Sequence, residues 1–155
     1  MDEKQFVGTW EIHNRINLYL LDGIDAVHLN DHSASKGRSV GEQFAHLHNV
    51  RLMWLKAAAP HLLKGLNKIE KEQASDQKLL HKSLLDSGQA IGAFLTRSLA
   101  TGGKVKGFKP DVVAFFGYLI SHESHHRGQI VLSLKQAGHP VDKKVQYGIW
   151  EWGVR

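Results

Sequence analysis

The apolar residues of this chain recur at steps of three and four along four long stretches, and nothing reads as a sheet. That period commits the chain to amphipathic helices. The first stretch runs from about Lys4 to Leu29, with Phe6, Trp10, Ile16, Leu20, Ile24 and Val27 on one face. The polar segment Asn30 to Arg38, which contains Gly37, reads as a loop. Ser39-Val40-Gly41-Glu42 has the form of a capping box and opens a second helix. Its stripe is Val40, Phe44, Leu47, Trp54 and Ala58, and Pro60 ends it at about Ala59. The stretch from His61 to Ala74 mixes a short helical turn with loop. A third helix spans about Ser75 to Ala100, with Leu79, Leu80, Leu84, Ile91, Phe94 and Leu95 inward, and Thr101-Gly102-Gly103 stops it. The fourth begins near Pro110 and runs to about Ala137, where Gly138 supplies a C-cap. The tail from Val145 to Trp152 packs across the bundle, with Trp150 and Trp152 covering one end or forming a dimer contact. The expected fold is all-α: one four-helix-bundle domain over residues 1–155.

Several function classes fall away on composition. The chain has no cysteine, which removes disulfides, thiolate metal sites and cysteine nucleophiles, and fits a cytoplasmic location. The opening MDEKQFVGTW is charged and lacks an apolar signal core. No stretch reaches the roughly 18 apolar residues of a membrane span. The net charge of +5 raises the question of nucleic acid. The lysines are scattered, however, and no stripe alternates basic with aromatic residues, so the charge reads as a solvated surface. There is no Ser-His-Asp, phosphate-loop or dinucleotide signature.

Histidine is the informative residue. His122 and His126, in Ser121-His122-Glu123-Ser124-His125-His126-Arg127-Gly128-Gln129, are four apart and share a helix face. That spacing lets two imidazoles meet one metal ion. Take the apolar centre of the helix through Val112, Phe116, Leu119 and Ile130. At about 100° per residue, His126 lies roughly 40° from that centre, His122 roughly 80° and His125 roughly 140°. Glu123 lies almost at the centre, where a carboxylate needs a partner; Arg51, on the stripe of the second helix, is the partner we expect. A third ligand must come from another helix. His46 and His48 lie on opposite flanks of the second helix, and the wheel does not choose between them. His13 reads as a packed histidine, and Trp10, Trp54 and Phe94 as core. His28, His32, His61, His81 and His139 read as exposed.

The segment Ser39 to Leu47 with Arg51 and Trp54 resembles the second helix of the DinB-like (YfiT-like) superfamily. His122-x-x-x-His126 followed by Arg127-Gly128-Gln129 resembles its fourth helix. Gly138-His139-Pro140 and Tyr147-Gly148-Ile149-Trp150-Glu151-Trp152 are similar to its ending. The resemblance implies a four-helix bundle, a homodimer, and a divalent metal held by His46, His122 and His126.

Three neutral nitrogens leave coordination positions open, the pattern of a catalytic site. Imidazole ligands suit zinc first, then nickel or another transition metal, and argue against magnesium or calcium. Glu42, Gln43, Glu123 and Gln129 are candidate acceptors for the ring nitrogens that do not bind metal. The resemblance implies a metal-dependent enzyme acting on a small molecule, either a thiol-dependent S-transferase or a hydrolase. The alternatives are a non-catalytic metal-dependent binding or stress-response protein, and a plain bundle with bystander histidines. No nucleic-acid or membrane partner is expected.

Overall fold

The computed structural model describes residues 2–155. Its long helices are α1 (Glu3–Asp22), α2 (Val40–Ala58), α3 (Gln77–Ala100) and α4 (Val112–Gln136), followed by a six-residue α5 (Lys143–Gly148). Each starts at a residue whose side chain accepts a first-turn backbone N–H: Asp2, Ser39, Asp76, Asp111 and Asp142. Short 3-10 turns occupy Ala26–Asn30, Pro60–Leu63, Lys71–Gln73 and Trp152–Val154. The ambiguous stretch after α2 thus holds two such turns joined by loop. No strand occurs among the described residues, so the all-α bundle reading holds. No described helix is long and apolar enough to cross a membrane.

The structure corrects three details of the periodicity. The first helix stops at Asp22, not Leu29. Gly23, a weak helix former, caps it by donating its N–H to the Tyr19 and Leu20 carbonyls. Asp25 then caps a separate 3-10 turn through the Val27 N–H. As a result Val27, expected inward, is 63% exposed, and Leu29 fills the core instead. On α4 the sealed aromatic is Phe115, while Phe116 lies half-buried beside Phe6. α4 begins at Val112, because the Asp111 carboxylate takes the Ala114 N–H. At its other end Gly138 adopts φ +85°, and the N–H groups of Gly138 and His139 reach the Lys135 and Leu134 carbonyls. The tail does pack on the bundle, through Val145 and Ile149, whereas Trp150 is 75% exposed.

α1 lies along α3, and α2 packs against both α3 and α4. The core divides into two apolar clusters. One holds Leu20, Leu21, Phe44, Leu47, Leu80, Leu84, Ile130 and Leu134. The other holds Phe6, Trp10, Leu55, Ile91, Phe94, Phe115 and Leu119. Between them in sequence, on all four helices, come buried polar residues: His13 and Asn17, Arg51, Ser87, and Glu123 with His126. The bundle therefore carries a polar layer at mid-height, and that layer sets the place of the candidate site.

α2 presents part of this layer, so its start matters. The capping box is complete: Glu42 N–H donates to Ser39 Oγ at 3.2 Å, and Ser39 N–H donates to Glu42 Oε2 at 2.7 Å. A Cβ on Gly41 would come within 1.9 Å of the Ala74 carbonyl oxygen, so only glycine allows this approach. Ser39→Ala is expected to cost about 1 kcal/mol in urea denaturation. The Ser39 N–H lowers the Glu42 pKa, and this stabilisation is present at neutral pH. It is lost as the pH falls through and below the ordinary carboxylate range. Glu42→Gln should therefore destabilise the protein at pH of about 7, and the difference should shrink as the pH falls through and below the carboxylate range.

Candidate metal centre

α2 delivers His46 toward α4, and α4 delivers His122 and His126 from one face, a turn apart. The ring centroids are 5.3 Å apart for His46–His122, and 4.7 Å for both His46–His126 and His122–His126. One ring nitrogen from each lies within 4.8 Å of the other two. Ligands about 2.1 Å from one tetrahedral ion are about 3.4 Å apart, so modest side-chain rotations close the set. His46 and His122 are half-buried, and His126 is 7% exposed. The two competing histidines are not part of this cluster. His48, 1% exposed, lies between α2, α3 and the connecting loop, with Nδ1 3.0 Å from the Ser83 carbonyl oxygen and Nε2 2.8 Å from that of Asn67. His125 is exposed, beside His126 but outside the set.

The three rings are held neutral. Burial lowers the pKa of His46 and of His126 to about 4, and the Arg38 cation and neighbouring histidines push the same way. Burial also lowers that of His122, against an opposing pull from Glu123. Neutral imidazole is the form that binds metal. His126 Nδ1 lies 3.1 Å from Gln43 Oε1; as the donor it leaves Nε2 as the lone-pair nitrogen. Tyr118, one turn before His122, stacks on its ring at 5.9 Å. The buried Nδ1 of His122 has no hydrogen-bond partner among the described residues. An orphan ring nitrogen among neutral imidazoles fits a cation, so the donor set is compatible with one divalent metal ion.

The model of the DinB family matches residues 1–147. The chain belongs to the DinB family. No curated protein and no solved structure gave a match.

In this DinB chain the centre rests on a buried charge network. Arg51, fully buried, clamps Glu123 with two hydrogen bonds, Nε to Oε1 at 2.7 Å and Nη2 to Oε2 at 2.8 Å. His13 Nε2 and Asn17 Nδ2 reach the same Oε2 at 2.8 and 2.7 Å. Burial alone would raise the Glu123 pKa; Arg51, with help from His13, outweighs it and keeps the carboxyl far below the usual range. Arg127 donates to Asn17 Oδ1 at 2.7 Å and closes the network onto α1. The Arg51–Glu123 pair was legible from two inward positions. The Asn17, Arg127 and Arg38 contributions were not, because a single polar residue carries no signal of its partner. Of the acceptors expected for the three clustered histidines, only Gln43 serves. Glu42 is spent on the α2 cap, Glu123 on Arg51, and Gln129 is exposed. Among the histidines expected at the surface, His32, His61 and His139 are exposed, but His28 and His81 are half-buried.

Proposed function

We propose that His46, His122 and His126 hold one divalent transition metal, zinc first and nickel or another as alternatives, and that the protein is a metal-dependent enzyme acting on a small molecule. The observation that carries this is the convergence of three neutral imidazoles from two helices, with no carboxylate among them. A metal bound by three nitrogens supplies open positions at which a thiol or water loses its proton easily. The chain's own residues do the rest. Gln43 fixes the tautomer of His126, and Tyr118 limits rotation of His122. Arg38, exposed in the loop before α2, places a cation close enough to act on all three rings, which favours an anionic reactant such as a thiolate. The same attraction acts on a metal-bound hydroxide, so S-transfer and hydrolysis are both proposed. A homodimer belongs to the same proposal and is measured by sedimentation.

The second reading is metal-dependent binding without turnover. It is favoured by the low exposure of His126 and Gln43, 7% and 5%, which leaves little room beside that ligand. The deciding experiment loads the protein with zinc or nickel. It then follows transfer of a low-molecular-weight thiol to an alkyl or aryl electrophile, and hydrolysis of activated esters and amides. Metal-dependent turnover that is absent in a His46/His122/His126 triple-alanine variant supports the enzyme. One metal per chain with no turnover above that variant would leave the binding reading. Gln43→Leu is expected to weaken metal affinity about 10–100-fold without unfolding the bundle. Competition with a chromophoric chelator measures it, and an unchanged affinity would remove Gln43 from the site.

A further inference from the structure

A second cluster of metal-ligating side chains lies away from the mid-height layer. His28 sits in the 3-10 turn after α1, Asp31 caps that turn, and His139 follows Gly138 at the end of α4. His139 Nδ1 is 2.7 Å from Asp31 Oδ2, and His28 Nδ1 is 3.6 Å from the same oxygen. The two imidazoles stack at 3.8 Å. One donor atom from each of the three residues lies within 4.8 Å of the others. The Asp31 and His28 side chains are only 15% and 28% exposed, and that of His139 is 43% exposed.

We infer that His28, Asp31 and His139 form a second divalent transition-metal site, which fastens the α1–α2 loop to the end of α4. Two donors about 2.1 Å from one ion are about 3.0–3.4 Å apart, depending on the angle they subtend. The separations from Asp31 Oδ2, 2.7 and 3.6 Å, bracket that range, so those two need shifts below an ångström, and the His28 and His139 nitrogens, within 4.8 Å of each other, must also draw together. The stacked rings must tilt for their lone pairs to converge, and His139, the most exposed of the three on the turn after Gly138, has the freedom to do so. A metal bound through Nδ1 of His139 requires the ring proton on Nε2. Two imidazoles and one carboxylate suit zinc, nickel or copper and not magnesium or calcium.

The mechanical consequence follows from the surroundings. Val40 N–H donates to the Asp31 carbonyl, and Ala34 N–H donates to Gln136 Oε1 at 2.8 Å. An ion there would brace the loop that leads into α2 against the helix carrying His122 and His126. The site uses none of the residues of the first centre, so the two stand or fall separately.

Zinc titration of untagged protein by calorimetry tests it, with thermal melting as a second readout. Wild type should take up about two ions per chain, and His28→Gln/His139→Gln about one. The zinc-induced rise in Tm should also be smaller in that variant. One ion in wild type and none in that variant would support this site and remove the first. Uptake and zinc-induced Tm rise that are the same in wild type and the double variant would overturn the inference. Asp31→Asn, which keeps the shape of the cluster, should lower affinity for the second ion at least tenfold; no change there also overturns it.

Discussion

Replacing His126 with alanine is expected to strip the metal from the purified protein, from about one ion per chain to nearly none at the first centre. Of the three proposed ligands, His126 is the one whose second nitrogen is anchored, by Gln43, and the one most enclosed by the bundle. Its loss leaves His46 and His122 on different helices, with too few donors to outlast dialysis. The fall in affinity should exceed the roughly 10–100-fold that follows loss of a partner hydrogen bond. His125→Ala, one position away and exposed, should retain the metal. So should His48→Leu, because both nitrogens of His48 face carbonyl oxygens away from the centre. Elemental analysis of the three variants, in the His28→Gln/His139→Gln background, decides the matter. Metal retained in His126→Ala, or lost in His125→Ala with the fold intact, would dismiss the His46–His122–His126 assignment.

Arg51→Ala should produce the largest loss of stability, about 3–5 kcal/mol, because it leaves the Glu123 carboxylate buried without its cation. For a chain of this size that lowers Tm by on the order of 6–20 °C. The Coulomb attraction within the pair is not the source of this cost, since an intact buried pair is close to neutral against an apolar replacement. The cost is the desolvated charge left behind. Arg51→Met/Glu123→Leu should therefore be more stable than Arg51→Ala, even though Asn17 and His13 then lose an acceptor. Urea denaturation of single and double variants gives the coupling directly. A loss below about 1 kcal/mol in Arg51→Ala would mean that water reaches Glu123 and that the network is not a closed element.

The helices and their caps are local features, and the chain alone specified them. A three-to-four period, the Ser39–Glu42 box and the Gly138 stop each act over a few residues. The structure moved boundaries only where a local rule competed with another, as at Gly23, where a second cap at Asp25 restarted the chain in a 3-10 turn. The pairing of His122 with His126 was legible for the same reason, since four residues make one helical turn. The family likeness then pointed to His46, but the wheel of α2 did not, because His46 and His48 sit on opposite flanks of one stripe. Which flank meets the His122–His126 pair depends on which helix lies there. α4 lies on the side of His46, while α3 and the Asn67 loop lie on the side of His48. The contacts of Glu123 with His13 and Asn17 span 110 and 106 residues, and no periodicity encodes such a separation. The second histidine cluster has the same origin, with His139 and Asp31 brought together across 108 residues. Sequence by itself determined the four long helices and, Val27 and Phe116 apart, the face each one buries, because those follow from backbone hydrogen bonding and apolar period. The choice of neighbours, and with it both histidine clusters and the charge network, was made only when the four helices packed, because a side chain acquires a partner through the tertiary arrangement.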